Sequence, residues 1–256
     1  MNKIIVIKLG GSVLGSRDTA LEDIARLRKE GYFPVVVRGG AAVVNSWLLR
    51  LNIPTKIVQG ERVTDEQTLD VVTAVLAGLV NKETTAKLLE YGVMAVGISG
   101  VDGDLIRGQP RSNWGYMGDV ARVDPTLINI LLNAGMVPVV SPVSFSDIED
   151  KKPLLNINGD PVAGELAAAL NADKLIFLTD VPGIKDANGN LINSTTAQDA
   201  EALISSGVVT GGMVPKIRAA SRAAAGGTIT SIVDGREPNI LYNEVTRGGL
   251  GTLIGA

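Results

Sequence analysis

Between Ile4 and Leu51 the chain twice runs a short β-branched strand into a glycine turn and then into a helical segment. Ile4 to Ile7 leads into Lys8, Leu9, Gly10 and Gly11, with a charged helical stretch from about Asp18 to Lys29. Pro34 to Val37 leads into Arg38, Gly39 and Gly40, with a helix from Ala41 to Leu51 that repeats Val43, Trp47 and Leu51 four apart. Apolar runs without polar alternation are strands buried on both faces, and strands joined through helices lie parallel. The pattern predicts an α/β fold: a three-layer αβα sandwich around an open, mainly parallel central sheet. The chain has 256 residues, 45% of them hydrophobic, which suffices for one large core or two small lobes.

The remaining segments extend this plan. Lys56 to Val63 reads as a hairpin turning at Gln59 and Gly60, and Thr64 to Gln67 has a capping-box pattern that opens a long helix, Asp65 to Tyr91, bent at Gly78. Val93 to Ile98 is a buried strand, and Leu105 to Val123 reads as hairpins outside the main sheet. Asp124 and Pro125 start a further helix closed by Gly135, Val137 to Val140 is a strand, and Asp147 to Lys152 is a charged turn. Beyond them lie a strand at Lys174 to Leu178, helices at Thr196 to Ile204 and from Met213 to Ala225, a strand at Ile229 to Val233 and an edge strand at Thr252 to Ile254. Between these halves, Leu155 to Leu170 passes from a polar run into an apolar helix. There Asn156, Asn158 and Asp160 alternate as on a strand end, so that their side chains face one cleft. The alternative is an Asx-rich turn capped by Asp160.

Composition removes whole classes of chemistry. There is no histidine and no cysteine, which excludes Ser-His and Cys-His hydrolases, disulfides and most zinc sites. The net charge is −3 and 4% of residues are aromatic, so nucleic-acid binding has little to stand on. No leader precedes the first strand and no apolar run reaches membrane-spanning length, so a cytoplasmic protein without a membrane partner is expected.

Glycine turns at the carboxyl ends of parallel strands, each followed by a helix N-terminus, suit the approach of a phosphate. Neither turn is the dinucleotide fingerprint or the P-loop. Lys8, at the end of a buried strand, needs an anion beside it. Lys216 lies early in a helix behind Gly211 and Gly212, and Asp160 could bridge both lysines; the alternative is that they are solvated. Two cations tethered by one carboxylate at a phosphate-binding edge suit phosphoryl transfer, which is mainly positioning and charge stabilisation. Asp160 is the one candidate base in that cleft. A carboxylate acceptor needs no base and would leave as an acyl phosphate; an aspartate base with another acceptor, or a phosphate acceptor, also suits.

The segments KLGGS from Lys8, RGGAAVVN from Arg38, GERVTD from Gly60, LAGLVNK from Leu76, AVGISGVDGD from Ala95, PVVSPV from Pro138, LNINGD from Leu155, LTDVPGI from Leu178 and GGMVPK from Gly211, in this order and spacing, resemble the acetylglutamate kinases of the amino-acid kinase superfamily over essentially the whole chain. The resemblance implies ATP-dependent phosphorylation of the side-chain carboxylate of N-acetyl-L-glutamate, the second step of arginine biosynthesis. It implies one amino-acid kinase domain over residues 1–256, with an acceptor-binding lobe to about residue 172 and a nucleotide-binding lobe from about 173. Lys8, Lys216 and Asp160 take the catalytic roles. Gly39, Gly40, Arg62, Asn156 and Asn158 hold the acceptor, and Lys8, Gly10, Gly11, Thr179, Asp180, Gly183, Gly212, Met213 and Lys216 face ATP. Mg2+ rides on the ATP phosphates, without a dedicated protein metal site.

Two positions depart from the family pattern: Arg38 stands where the family has histidine, placing a fixed charge beside the acceptor loop, and Gly159 stands where it has alanine. The glycine is shared with sister kinases that act on carrier-linked aminoadipate or glutamate, although the Leu105 to Val123 region lacks their basic insert. Isopentenyl phosphate kinases place a histidine on the acceptor, which this chain lacks. A silent nucleotide- or amino-acid-binding regulator is the reading from another class, and it would have little need of all three of Lys8, Asp160 and Lys216. The absence of an extra helix before the first strand implies an unregulated homodimer, joined through the Asp65 to Tyr91 helix.

Overall fold

The alternation along the first strand, β1 (Ile4–Leu9), decides where the site lies. Ile5, Ile7 and Leu9 pack with Ile24 and Leu27 of α1 (Ala20–Lys29), whereas Val6 packs on the other face with Val162 and Leu166 of α6 (Gly159–Ala169). Lys8 shares the parity of Val6, so it emerges on the α6 side at the carboxyl end of the strand. The computed structural model describes residues 3–10, 19–58, 60–147 and 152–255.

β1 lies inside an eight-stranded sheet ordered β12 (Ser194–Thr196), β14 (Thr252–Gly255), β13 (Ile229–Asp234), β11 (Lys174–Thr179), β1, β2 (Phe33–Arg38), β8 (Val137–Ser141) and β5 (Ala95–Ser99). Every pairing is parallel except β13 with β14. One face is covered by α1, α4 (Asn81–Glu90) and α9 (Ile240–Thr246), and the other by α5 (Thr126–Asn133), α6, α7 (Ala197–Ser205) and α8 (Met213–Ala224). The result is the expected three-layer αβα sandwich. One strand position differs: β14 is not the edge, because Ser194–Thr196 pairs outside it, a strand too short and polar to be seen in the sequence. Helix α9 was likewise not anticipated.

Two other readings change in detail. On α2 (Ala41–Arg50) the buried row is Val44 and Leu48, one residue on from the Val43 and Trp47 row, and Leu51 is exposed. The long helix after Asp65, whose carboxylate accepts from Thr68 N at 2.8 Å, runs as α3 (Glu66–Thr73), a π-helical stretch Ala74–Val80 and then α4. Gly78 falls inside that wide-turned stretch. The stretch brings Leu76 and Val80 against Gly40, where an added Cβ would come within 2.9 Å of the end of the Leu76 side chain, so a larger residue there would have to displace these side chains.

The hairpin expected between Leu105 and Val123 is β6 (Ile106–Pro110) with β7 (Met117–Val123). Together with β9 (Val143–Phe145) and β10 (Leu154–Ile157) they close a small barrel, which no local pattern announced. The charged turn between β9 and β10 lies mostly outside the described residues, although Lys152 at its end pairs with Asp70 at 2.5 Å. β3 (Lys56–Val58) and β4 (Glu61–Val63) form a separate hairpin; Gln59 of its turn is not among the described residues. Among the described residues no helix is long and apolar enough to cross a membrane.

Candidate active site

Three elements converge on Asp160. Lys8 reaches it from β1, with Nζ 2.6 Å from Oδ1, and Lys216 reaches it from the first turn of α8, with Nζ 3.0 Å from Oδ2. Lys216 also donates to the Gly212 carbonyl at 3.1 Å. The meeting depends on the crossing of α6 over α8: an added Cβ at Gly164 would lie 2.6 Å from the Ala219 carbonyl oxygen. Gly164 is one turn beyond Asp160, and Ala219 about one turn beyond Lys216. This close crossing therefore sets the span that Lys216 must bridge. Burial of Asp160 alone would raise its pKa, but the charges of Lys8 and Lys216 and their hydrogen bonds hold it below the ordinary value. The centre is an ionised carboxylate between two ammonium groups, with one positive charge to spare.

Asp160 does not extend the strand alternation expected of it. Asn156 lies on β10, Asn158 is the N-cap of α6, and Asp160 already sits in the first helical turn. The cap is Asn158, whose Oδ1 accepts from Asp160 N at 3.0 Å. The helix start, rather than a strand period, aims the carboxylate at the lysines.

Beside the centre opens a cavity of about 320 Å³. Lys8, Gly39, Gly40, Arg62, Asn156 and Asn158 all line it. Arg62 comes from β4 and is 8% exposed; one of its terminal nitrogens donates to Asn45 Oδ1, and Nη1 is buried with no hydrogen-bond partner. A buried guanidinium nitrogen without an acceptor is costly, and an anionic group in the cavity would satisfy it. Burial pulls the Arg62 pKa down, yet an arginine remains charged. Asn156 donates to Thr64 Oγ1 at 3.0 Å, which ties β10 to the end of the hairpin.

Among the described residues, those expected on the nucleotide side do not line this cavity, apart from Lys8. Gly212 and Met213 begin α8, with Gly212 exposed, and Asp180 is exposed at the end of β11. Thr179 and Gly183 are buried. The Thr179 hydroxyl lies 2.7 Å from the Val181 carbonyl, and an added Cβ at Gly183 would meet Thr252 at 2.4 Å, so both shape the loop after β11. Gly10 is described, and its carbonyl accepts from Arg38 at 3.0 Å; Gly11 lies outside the described residues.

Arg38 does not line this cavity. Its buried guanidinium lies 2.7 Å from the Gly39 carbonyl and 3.4 Å from that of Leu9, and its Nε lies 3.3 Å from Thr84 Oγ1, so it binds the two glycine turns from behind. Asp160 is also not the only carboxylate near the cleft, because Glu61 lines the cavity that opens beside it. Glu61 sits inside the GERVTD segment, beside Arg62, which was the available signal for it. Asn45 had none, since its role depends on how α2 meets β4.

The amino acid kinase family model matches residues 3–234. The acetylglutamate kinase of Dehalococcoides mccartyi (strain CBDB1) is 52% identical over 257 residues, 99% of this chain and 94% of that protein. The solved smu.665 protein of Streptococcus mutans UA159 superposes with a TM-score of 0.83 at 30% identity, covering 100% of both chains. An N-acetylglutamate synthase from Neisseria gonorrhoeae, solved with coenzyme A and N-acetyl-glutamate, gives a TM-score of 0.85 at 25% identity, covering 99% of this chain and 59% of that one. With a family model spanning most of its length and relatives of this closeness over nearly all of it, the chain belongs to the amino acid kinase family, among the acetylglutamate kinases.

Proposed function

We propose that the protein transfers the γ-phosphoryl group of ATP to the side-chain carboxylate of N-acetyl-L-glutamate. A carboxylate oxygen of the acceptor forms the new bond to phosphorus, the bond from phosphorus to the ADP oxygen breaks, and the product is an acyl phosphate. The acceptor is already ionised, so no proton has to leave it. The observation that carries this reading is the juxtaposition of the Lys8–Asp160–Lys216 centre with a cavity holding the partnerless Arg62 Nη1.

In this reading Arg62 and Asn156 hold the α-carboxylate of the acceptor, and Asn158 lies beside it. The backbone N–H groups at Gly39 and Gly40 face the acceptor side, and Gly10 and Gly11 face the nucleotide phosphates. Lys8 and Lys216 neutralise the charge that spreads over the phosphoryl oxygens in flight, and Asp160 keeps both ammonium groups within reach without occupying the reaction path. Thr179 and Gly183 shape the nucleotide pocket, while Asp180, Gly212 and Met213 border it. Mg2+, when bound with ATP, supplies further charge neutralisation on the phosphates. The lobe that binds the acceptor extends to about residue 172 and the nucleotide lobe follows, with the eight-stranded sheet passing through both.

We further place the enzyme in arginine biosynthesis in the cytoplasm, as a homodimer. The dimer surface is the α3 to α4 helix: Leu79 and Leu89 on it are exposed, and Leu51 beside it is 51% exposed. The test of the activity is an assay with Mg-ATP and N-acetyl-L-glutamate in which hydroxylamine traps the acyl phosphate. Hydroxamate formed only with both substrates is the expected result; ATP binding without product from this acceptor would overturn the reading.

A further inference from the structure

Glu61 touches neither lysine of the centre, yet it is bonded into the same structure. Its two oxygens have different partners: Oε1 accepts from Asn158 Nδ2 at 2.9 Å, and Oε2 is paired with Arg111 Nη1. Arg111, in the loop between β6 and β7, is held in turn by Asp119, whose oxygens lie 2.9 and 2.8 Å from Arg111 Nε. Asn158 spends its remaining side-chain oxygen on the amide of Asp160. A continuous path of polar contacts therefore runs from the small barrel, through the β3–β4 hairpin, to the residue that holds both lysines.

The chemistry of the path gives it a direction. An ionised carboxylate only accepts hydrogen bonds, so Glu61 selects the NH2 end of the Asn158 amide and turns the oxygen end towards α6. With an apolar residue at position 61 the amide could flip or swing away, and the first turn of α6 would lose its cap. Arg111 holds Glu61 in place through its second carboxylate oxygen, and Asp119 fixes the guanidinium plane. Glu61 also lines the acceptor cavity, so the hairpin that walls the acceptor and the cap that aims Asp160 are set by a single side chain.

We propose that Glu61 is a positioning residue for phosphoryl transfer, acting through Asn158 to hold the start of α6 and coupling the β3–β4 hairpin to the Lys8–Asp160–Lys216 centre. The proposal rests on the reading of that centre given above. It assigns Glu61 no contact with a reacting atom.

The test compares Glu61→Ala, Glu61→Gln, Asn158→Ala and the Glu61→Ala/Asn158→Ala double variant in the full chain. Two readouts are used: hydroxamate kinetics with Mg-ATP and N-acetyl-L-glutamate, and hydrogen exchange of the 155–162 segment without substrates. For Glu61→Ala we expect kcat to fall about tenfold, acceptor KM to rise several-fold and exchange in the segment to quicken by about tenfold. Glu61→Gln, which retains an acceptor for Asn158, recovers turnover to within about threefold of the parent. Adding Glu61→Ala to Asn158→Ala costs less than about twofold more, because the path is already cut. Parental turnover and exchange in Glu61→Ala would overturn the proposal. So would full additivity in the double variant, or Glu61→Gln as impaired as Glu61→Ala with exchange unchanged, since each places the action of Glu61 elsewhere. Failure of the parent protein to form hydroxamate would refute the acceptor assignment, while the exchange comparison would still decide the coupling.

Discussion

At Asp160 a single carboxylate holds two ammonium groups in a buried setting, and its pKa is held low by them. An acid with a depressed folded pKa stabilises the fold above its ordinary value of 3.8, and that contribution is lost as pH falls through the depressed value. The centre is therefore fully assembled near neutrality, and its loss belongs to acid. Asp160→Asn leaves two cations facing each other without an anion. Turnover should fall at least about 100-fold and stability by about 2–4 kcal/mol, read from hydroxamate assays and denaturant titration. In their proposed roles Lys8 and Lys216 act most in the transition state, so Lys8→Ala and Lys216→Ala should lower kcat by about 100-fold or more with smaller changes in KM. Arg62→Lys tests the acceptor side: charge is kept but the planar fork is lost, so acceptor KM should rise about tenfold or more while kcat changes less. That Lys8 needs an anion beside it was legible because it ends a buried strand, and Asp160 supplies that anion. Arg38 was legible as unusual but not in its role, since its carbonyl partners belong to turns that meet only when β1 and β2 pair.

The elements that build the centre differ in how plainly the sequence announces them. Apolar runs such as Ile4 to Ile7 and Val35 to Val37 can be little but buried strands, and the two glycine turns mark where helices follow. Ser194–Thr196, α9 and the closure of the barrel carry no comparable local pattern, because they form through long-range pairing and docking. The decisive element contact is α6 on α8. Gly164→Ala would drive a methyl group into the Ala219 carbonyl, moving the helices apart at the crossing next to Asp160 and Lys216. We expect a loss of about 1–3 kcal/mol in stability together with a turnover deficit larger than that of a surface alanine on α6. Equilibrium unfolding and kinetics on the same preparation check both.

At the scale of the whole molecule, the contact of α1 with α9 makes stability depend on pH. Asp23 is buried there, accepting from Tyr242 N at 3.2 Å, and burial pushes its pKa up to about 6. The folded chain holds this proton more tightly than the unfolded one, so its contribution to stability falls as pH rises from about 4 to about 6 and stays flat above. Asp23→Asn should remove that slope and gain about 1–2 kcal/mol at pH 7 after allowance for screening, measured by thermal unfolding across pH. For assembly, Leu51→Glu with Leu79→Glu places charge in the exposed apolar groove beside the α3 to α4 helix, and light scattering should show a dimer becoming a monomer.

Periodicity, turn chemistry and the order of the motifs determined the layers, the parallel sheet and the kind of reaction, because buried strands, glycine turns and unpaired cations are local demands that a chain states in its own residues. Which side chains meet was decided only in three dimensions. The ties of Asp160 to Lys216 and of Glu61 to Asn158 and Arg111 join residues separated by 56, 97 and 50 positions. Contacts over such separations depend on helix crossings and barrel closure, which no local stretch of sequence specifies.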